Sequence, residues 1–250
     1  MARLELILQA ASPTTHADAI RTLLDRLNPK WVLISVAFVR EEGVEALAAA
    51  LKPFAAKTRF FVGVRNDITS VQGIKRLLAL KAEAYAVDTG SRDTIFHPKL
   101  YLITGRTKAG LIIGSANLTF QGLYNNIEAS ALVTLDLTDE DDRRFVQQTR
   151  RTFYGLLNQH PQHVFAIKNE KHADELFLSG RLADETLILA PTPASLARKG
   201  GEDALQRMKL NLGVETRNSA ATFYGFSCFF FQQLKSRKGQ FGSRIGYTGC

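Results

Sequence analysis

Over the first 150 or so residues, short apolar runs alternate with stretches in which apolar positions recur every three or four residues. Residues 4–8 predict a first strand. Thr14 or Thr15 then stands where a helix N-cap is expected, and Ala19, Ile20, Leu23, Leu24 and Leu27 share one helical face before Pro29 ends the element. Residues 31–38 are almost continuously apolar, as in a strand covered on both faces. An amphipathic helix over 42–51, stopped by Pro53, leads to a buried strand at 59–64. Ser70 caps a helix to about residue 80, and 84–87 supply the next strand. Three strand-then-helix units in succession predict an α/β fold, an α-β-α sandwich with a mixed, mostly parallel central sheet.

After Gly90 the pattern changes. Residues 99–103 and 111–113 read as two strands of a hairpin joined by the loop 105–110, and 129–135 as one more strand. A long helix is expected over 139–157. Asp139, Glu140, Asp141 and Asp142 at its start suit the positive end of the helix dipole better than a metal, because adjacent carboxylates on a helix diverge and no histidine joins them. His160 and His163, beyond that helix, read as surface residues. From about Lys168 the periodicity weakens. A strand fits 186–190, Pro191, Pro193 and Gly200-Gly201 mark irregular connections, and the aromatic cluster at 226–231 reads as core or interface rather than as a base-stacking platform. The expected organisation is one domain over 1–168, followed by a basic segment, 169–250, that is an incomplete domain or a packing or partner-binding tail.

Composition narrows the function classes. The 250 residues are 45% hydrophobic and 22% charged, enough for one large core. Cys228 and Cys250 are the only cysteines, which excludes a disulfide framework or a multi-cysteine zinc site and suits a reducing compartment. No apolar stretch approaches the roughly 20 residues that span a bilayer. Glu5 interrupts the first apolar run too early for a signal peptide, so a cytoplasmic chain without a membrane partner is expected. The net charge is +8, and residues 198–250 hold nine basic against three acidic residues, so a polyanion is the natural partner.

The candidate chemistry lies in 96–133. His97 and Lys99 flank a proline, so in an extended segment their side chains share one face. Gly114-Ser115-Ala116-Asn117 closes the second strand of the hairpin, with Ser115 and Asn117 in the same relation. Glu128 opens the next strand and is the only acidic residue between Asp93 and Asp136. Arg65, at the end of an apolar strand, is a candidate phosphate contact or else the partner of Asp67 or another acid. Arg106 and Lys108 on the hairpin loop are either plain exposed charges or contacts to a polyanion.

His97-x-Lys99 followed by Gly114-Ser115-x-Asn117 resembles the phospholipase D superfamily over roughly residues 1–155. Thr104 stands where the lipid-processing members carry an aspartate. With Glu128 downstream, the chain looks like the metal-independent nucleases of that superfamily, including BfiI-type restriction endonucleases. The resemblance implies a nucleophilic His97 that forms a transient phosphohistidine, Glu128 orienting the imidazole, Lys99 and Asn117 holding the non-bridging oxygens, and Ser115 as a supporting hydroxyl, with no metal and no cofactor. It also implies a second imidazole. His16, His160, His163 and His172 each lack a lysine two residues on, so a homodimer with a composite site is expected. The expected substrate is DNA. The alternatives are a lipid phosphodiesterase, and a nuclease subunit or DNA-binding protein that depends on a separate recognition or helicase subunit.

Overall fold

The computed structural model describes residues 2–187, which lie in one compact unit. The strands are β1 (Arg3–Leu8), β2 (Trp31–Val36), β3 (Thr58–Gly63), β4 (Glu83–Val87), β5 (Lys99–Thr104), β6 (Lys108–Gly114), β7 (Ala129–Asp136) and β8 (Val164–Ala166). The helices are α1 (His16–Leu27), α2 (Glu41–Leu51), α3 (Val71–Ala79), α4 (Glu140–Gln159) and α5 (Glu170–Leu178). Thr15 and Asp18 form a capping box on α1, and the Ser70 side chain accepts from Gly73 N at the start of α3. Asp139 caps α4 by accepting from the backbone N–H groups of Asp141 and Asp142, while Glu140 and Asp141 pair with Arg144. The acidic run therefore serves the helix terminus.

All eight strands form one mixed sheet in the order β1-β7-β6-β5-β2-β3-β4-β8. On one face, Ile20 and Leu24 of α1, Leu47 and Leu51 of α2, Ile74 and Leu77 of α3 and Leu176 of α5 pack on Val32, Ile34, Phe60 and Val62. On the other face, Val146, Phe153, Tyr154 and Leu157 of α4 cover Leu33, Phe61, Leu102 and Leu111. The α-β-α sandwich is the expected one, but the weighting of strand directions differs. Only β2–β3 and β3–β4 are parallel neighbours; β1–β7, β7–β6, β6–β5, β5–β2 and β4–β8 are antiparallel. The place beside β2 is taken by β5, the first strand of the antiparallel β5-β6-β7 run, and β1 joins the far end of that run instead of pairing with β2.

Residues 169–187, grouped in the sequence reading with the tail, pack into the same core. Ala173, Leu176 and Leu182 are buried against it, following β8, which pairs with β4. After α5 the chain crosses the starts of α2 and α3: Glu185 accepts from Glu41 N at 2.8 Å and from the Ser70 hydroxyl, and Val71 N donates to Ala183 O. The strand expected over 186–190 falls mostly outside the described residues, as do the aromatic cluster at 226–231 and the basic end. No described helix is long and apolar enough to cross a membrane.

Asp88, 4% exposed at the end of β4, ties this edge together. Its carboxylate accepts from Arg65 Nε at 2.8 Å, Arg65 Nη2 at 2.9 Å and Arg181 Nε at 2.6 Å, which holds its pKa well below the ordinary carboxyl range. His163, half-buried rather than a free surface residue, donates from Nδ1 to Asp88 O at 2.8 Å. Because the native pKa is depressed, the stabilisation is complete above the unfolded value near 4 and is lost as pH falls through the lower native one. Asp88→Asn is expected to cost about 3 kcal/mol at neutral pH and less in acid, as thermal unfolding at several pH values checks; an equal cost at every pH contradicts the assignment.

Candidate active site

Four strand ends meet at one edge of the sheet: β2 ends at Val36, β5 begins at Lys99, β6 ends at Gly114 and β7 begins at Ala129. Antiparallel registry brings them level, with Val36 opposite Lys99 and Gly114 opposite Ser130. His97, Lys99, Ser115, Asn117 and Glu128 are all carried here.

His97 is exposed and precedes Pro98, which biases its backbone to an extended conformation. Lys99 is 9% exposed, and its Nζ lies 2.7 Å from Nδ1 and 2.9 Å from Nε2 of the His97 ring. A cation this close opposes a second positive charge on the ring, so the contact favours neutral imidazole. Loss of water around the ring, and then the charge of Lys99, lower the His97 pKa below its usual 6.5. The Lys99 pKa is also lowered, by burial, against the opposing field of Glu128. Phe38 stands edge-on to the imidazole, with ring centroids 5.5 Å apart, and its backbone N–H donates to Asn117 Oδ1 at 3.1 Å. That bond turns the NH2 end of the Asn117 amide into the group left for a ligand.

Ser115 and Glu128 form the other side. The Ser115 hydroxyl donates to Glu128 Oε2 and accepts from Ala129 N at 3.0 Å, and Asn126 Nδ2 donates to Glu128 Oε1 at 3.0 Å. The direct bond from Glu128 to His97 that the resemblance implies is not formed; the two carboxylate oxygens are engaged by the Ser115 hydroxyl and the Asn126 amide. Glu128 acts on the pair through its field at Lys99. Ser115 and Asn117 also do not share a strand face: β6 ends at Gly114, and the chain turns so that Asn117 meets Phe38 while Ser115 meets Glu128.

Gly114 makes the approach possible. A Cβ there would lie 2.2 Å from Ala129 O and 2.3 Å from Ser130 Oγ. Tyr101, fully buried in β5, donates to Ala116 O at 3.1 Å and holds the loop from below. A π-helical turn, Gln121–Asn125, then carries the chain to Glu128.

Of the three basic residues that are candidate phosphate contacts, Arg106 and Lys108 are not brought to this cluster. Arg65 is engaged by Asp88, the ion-pair alternative. Arg106 and Lys108 lie at the turn between β5 and β6, the full length of a six-residue strand from Lys99, about 20 Å. An open groove of about 760 Å³ between α1, α2 and the π-helical turn also lies apart from His97. Glu41, Glu42 and Glu45 line it, and their charge opposes a phosphate there.

No family model and no curated protein matches the chain. Among solved structures it is similar to NucT from Helicobacter pylori, at 15% identity and a TM-score of 0.45, over 63% of this chain and 97% of that one. It is similar to Nuc from Salmonella typhimurium, described as a phospholipase D family member, at 12% identity and a TM-score of 0.47, over 68% and 100% of the two chains. It is also similar to polyphosphate kinase from Porphyromonas gingivalis, at 13% identity and a TM-score of 0.41, over 85% of this chain and 28% of that one.

The sequence reading missed Phe38, Asn126 and Tyr101, which support the cluster through a ring edge, an amide and a phenol. Phe38 closes the apolar run 31–38 and reads there as core. Asn126 had a visible signal: a polar residue two positions before the isolated Glu128.

Proposed function

We propose that this chain is a metal-independent phosphodiesterase of the phospholipase D superfamily, a restriction-type endonuclease that cleaves DNA through a covalent phosphohistidine. The observation that carries it is the His97–Lys99 contact at the sheet edge, with the Asn117 amide and the Ser115–Glu128 pair beside it. A bound phosphodiester draws the Lys99 ammonium onto a non-bridging oxygen. The ring stays neutral, with a nitrogen lone pair free to attack. The nitrogen attacks phosphorus, a P–N bond forms, and the P–O bond to the leaving alkoxide breaks. Lys99 and the Asn117 NH2 stabilise the charge gathering on the oxygens. Water then breaks the P–N bond and restores the imidazole.

The leaving alkoxide needs a proton, and the chain has one such His–Lys pair, so the acid is His97 of a second copy in a homodimer. An apolar row supports a contact on this side of the sheet: Leu6, Ala131 and Ile113 are register partners, and Leu6 and Ile113 are exposed, as is Ile127 beside Glu128. The excess of basic residues favours nucleic acid over lipid as substrate.

Plasmid nicking in EDTA, set against headgroup release from phospholipid vesicles, tests the reading. Nicking that survives EDTA is expected; cleavage that stops in EDTA and returns with magnesium contradicts it, and headgroup release without nicking reassigns the substrate. The depressed His97 pKa sets the acid limb of kcat/KM. One His97 must be neutral to attack and that of the second copy protonated to donate, so cleavage traces a bell whose acid limb, set by the attacking imidazole, lies below 6.5 and which falls again toward alkaline pH as the donor loses its proton. A pH–rate profile with its acid midpoint above 6.5 contradicts the Lys99 contact.

A further inference from the structure

His16 is completely buried, carries a titratable ring and has no part in the chemistry above. Its surroundings are fully paired. Gln9, 1% exposed, accepts at Oε1 from His16 N at 2.9 Å and from His16 Nδ1 at 3.0 Å, and donates from Nε2 to Gly122 O at 3.2 Å and Asn126 O at 2.9 Å. Both acceptor sites and both donors of the amide are thereby used. With Nδ1 protonated toward Gln9, His16 Nε2 accepts from the Ser130 hydroxyl at 2.8 Å. The backbone of Gln9 extends the β1–β7 ladder by one bond, Gln9 N to Glu128 O at 2.9 Å. Ala10 follows at φ 76°, a left-handed conformation unusual for alanine, and turns the chain so that α1 begins against the Gln9 side chain.

Every bond from this pair leads to the segment that carries Glu128. Gln9 holds the carbonyls of Gly122 and Asn126, the Asn126 side chain holds Glu128 Oε1, and Glu128 holds the Ser115 hydroxyl. His16 grips Ser130 on the far side of Glu128 and orients the Gln9 amide. We infer that Gln9 and His16 form a buried clamp whose function is to position Asn126, Glu128 and Ser115, making Gln9 and His16 positioning residues of the proposed phosphodiesterase. As an account of catalysis the clamp rests on that reading; as an account of the 121–129 segment it does not. The clamp draws together the end of β1, the first turn of α1 and the entry to β7, so its role is invisible in any one stretch of sequence.

The test is Gln9→Met, which keeps size and removes all four bonds. Hydrogen exchange in the full chain is expected to show lost protection confined to 121–129, with β2 and β3 unchanged. Unaltered exchange in 121–129, or loss spread evenly over the sheet, overturns the clamp. If Gln9→Met does not fold, Gln9→Glu keeps the bonds from His16 and removes the amide donors, and the same regional loss is expected. In single-turnover cleavage, Gln9→Met lowers kcat by about 10- to 100-fold at nearly constant KM, and by less than about twofold when Glu128→Gln is already present. Equal losses in both backgrounds mean the effect does not run through Glu128 and overturn the positioning role. A parent chain that cleaves no phosphodiester removes the proposed function, while the exchange result still decides the clamp.

Discussion

His97→Ala abolishes cleavage: single-turnover nicking falls at least about a thousandfold, since the first covalent step loses its nucleophile. The fold is expected to survive intact. His97 is exposed and follows no strand hydrogen bond, so the melting temperature should move by no more than about 2 °C. Lys99→Met is expected to lose about a hundredfold or more, as a buried ammonium is withdrawn from the developing charge. It should also raise the His97 pKa, because a cation beside the ring is removed. Lys99 lowers that pKa only as the second cause after lost hydration, so the acid limb moves toward 6.5 without passing it. Residual activity of His97→Ala within tenfold of the parent would mean that the imidazole is not the attacking group.

Gly114→Ala is expected to damage stability and activity together. The added Cβ would meet Ala129 O, Ser130 Oγ and Ser130 Cα at 2.2, 2.3 and 2.5 Å, two of them backbone atoms of the neighbouring strand that cannot swing away. β6 and β7 must separate at the site edge, at a cost of about 3 kcal/mol. For a domain of this size that is a fall of about 10 °C in melting temperature. Ser115 is displaced from Glu128 in the same movement, and a shift of that order costs about a hundredfold in rate. Differential scanning calorimetry with single-turnover nicking checks both. A variant as stable and active as the parent would show that β6 and β7 do not approach so closely.

Much of the fold was legible because burial writes itself into periodicity. The helical face of α1 and the unbroken apolar run of β2 gave their elements directly, and Thr15 and Ser70 marked starts that the structure keeps. Neighbour choice was not legible. The apolar alternation of β1 is the same whether it pairs with β2 or with β7, and nothing local says that β5 will take the place beside β2. β8 was missed because three strand residues carry too little pattern, and α5 because only Ala173 and Leu176 of its residues are buried.

The site shows the same division. His97, Lys99, Ser115, Asn117 and Glu128 lie within 32 residues, and the ends of β5, β6 and β7 carry them to one end of the sheet. Spacing did not give their partners. Glu128 bonds Ser115 and Asn126 rather than His97, and Arg65 takes the ion-pair alternative with Asp88 rather than Asp67. Gln9 and His16 are more than 100 residues from the groups they hold, Gly122, Asn126 and Ser130, and buried polar pairing at that separation has no sequence signature.

The central claim is a bond between an imidazole nitrogen and phosphorus. Rapid denaturation of the protein during cleavage of end-labelled DNA, followed by peptide mapping, tests it most directly. An adduct that survives denaturation and alkali, is released by mild acid and maps to His97 is expected. An adduct on another side chain, or turnover with none trapped at any time point, contradicts it.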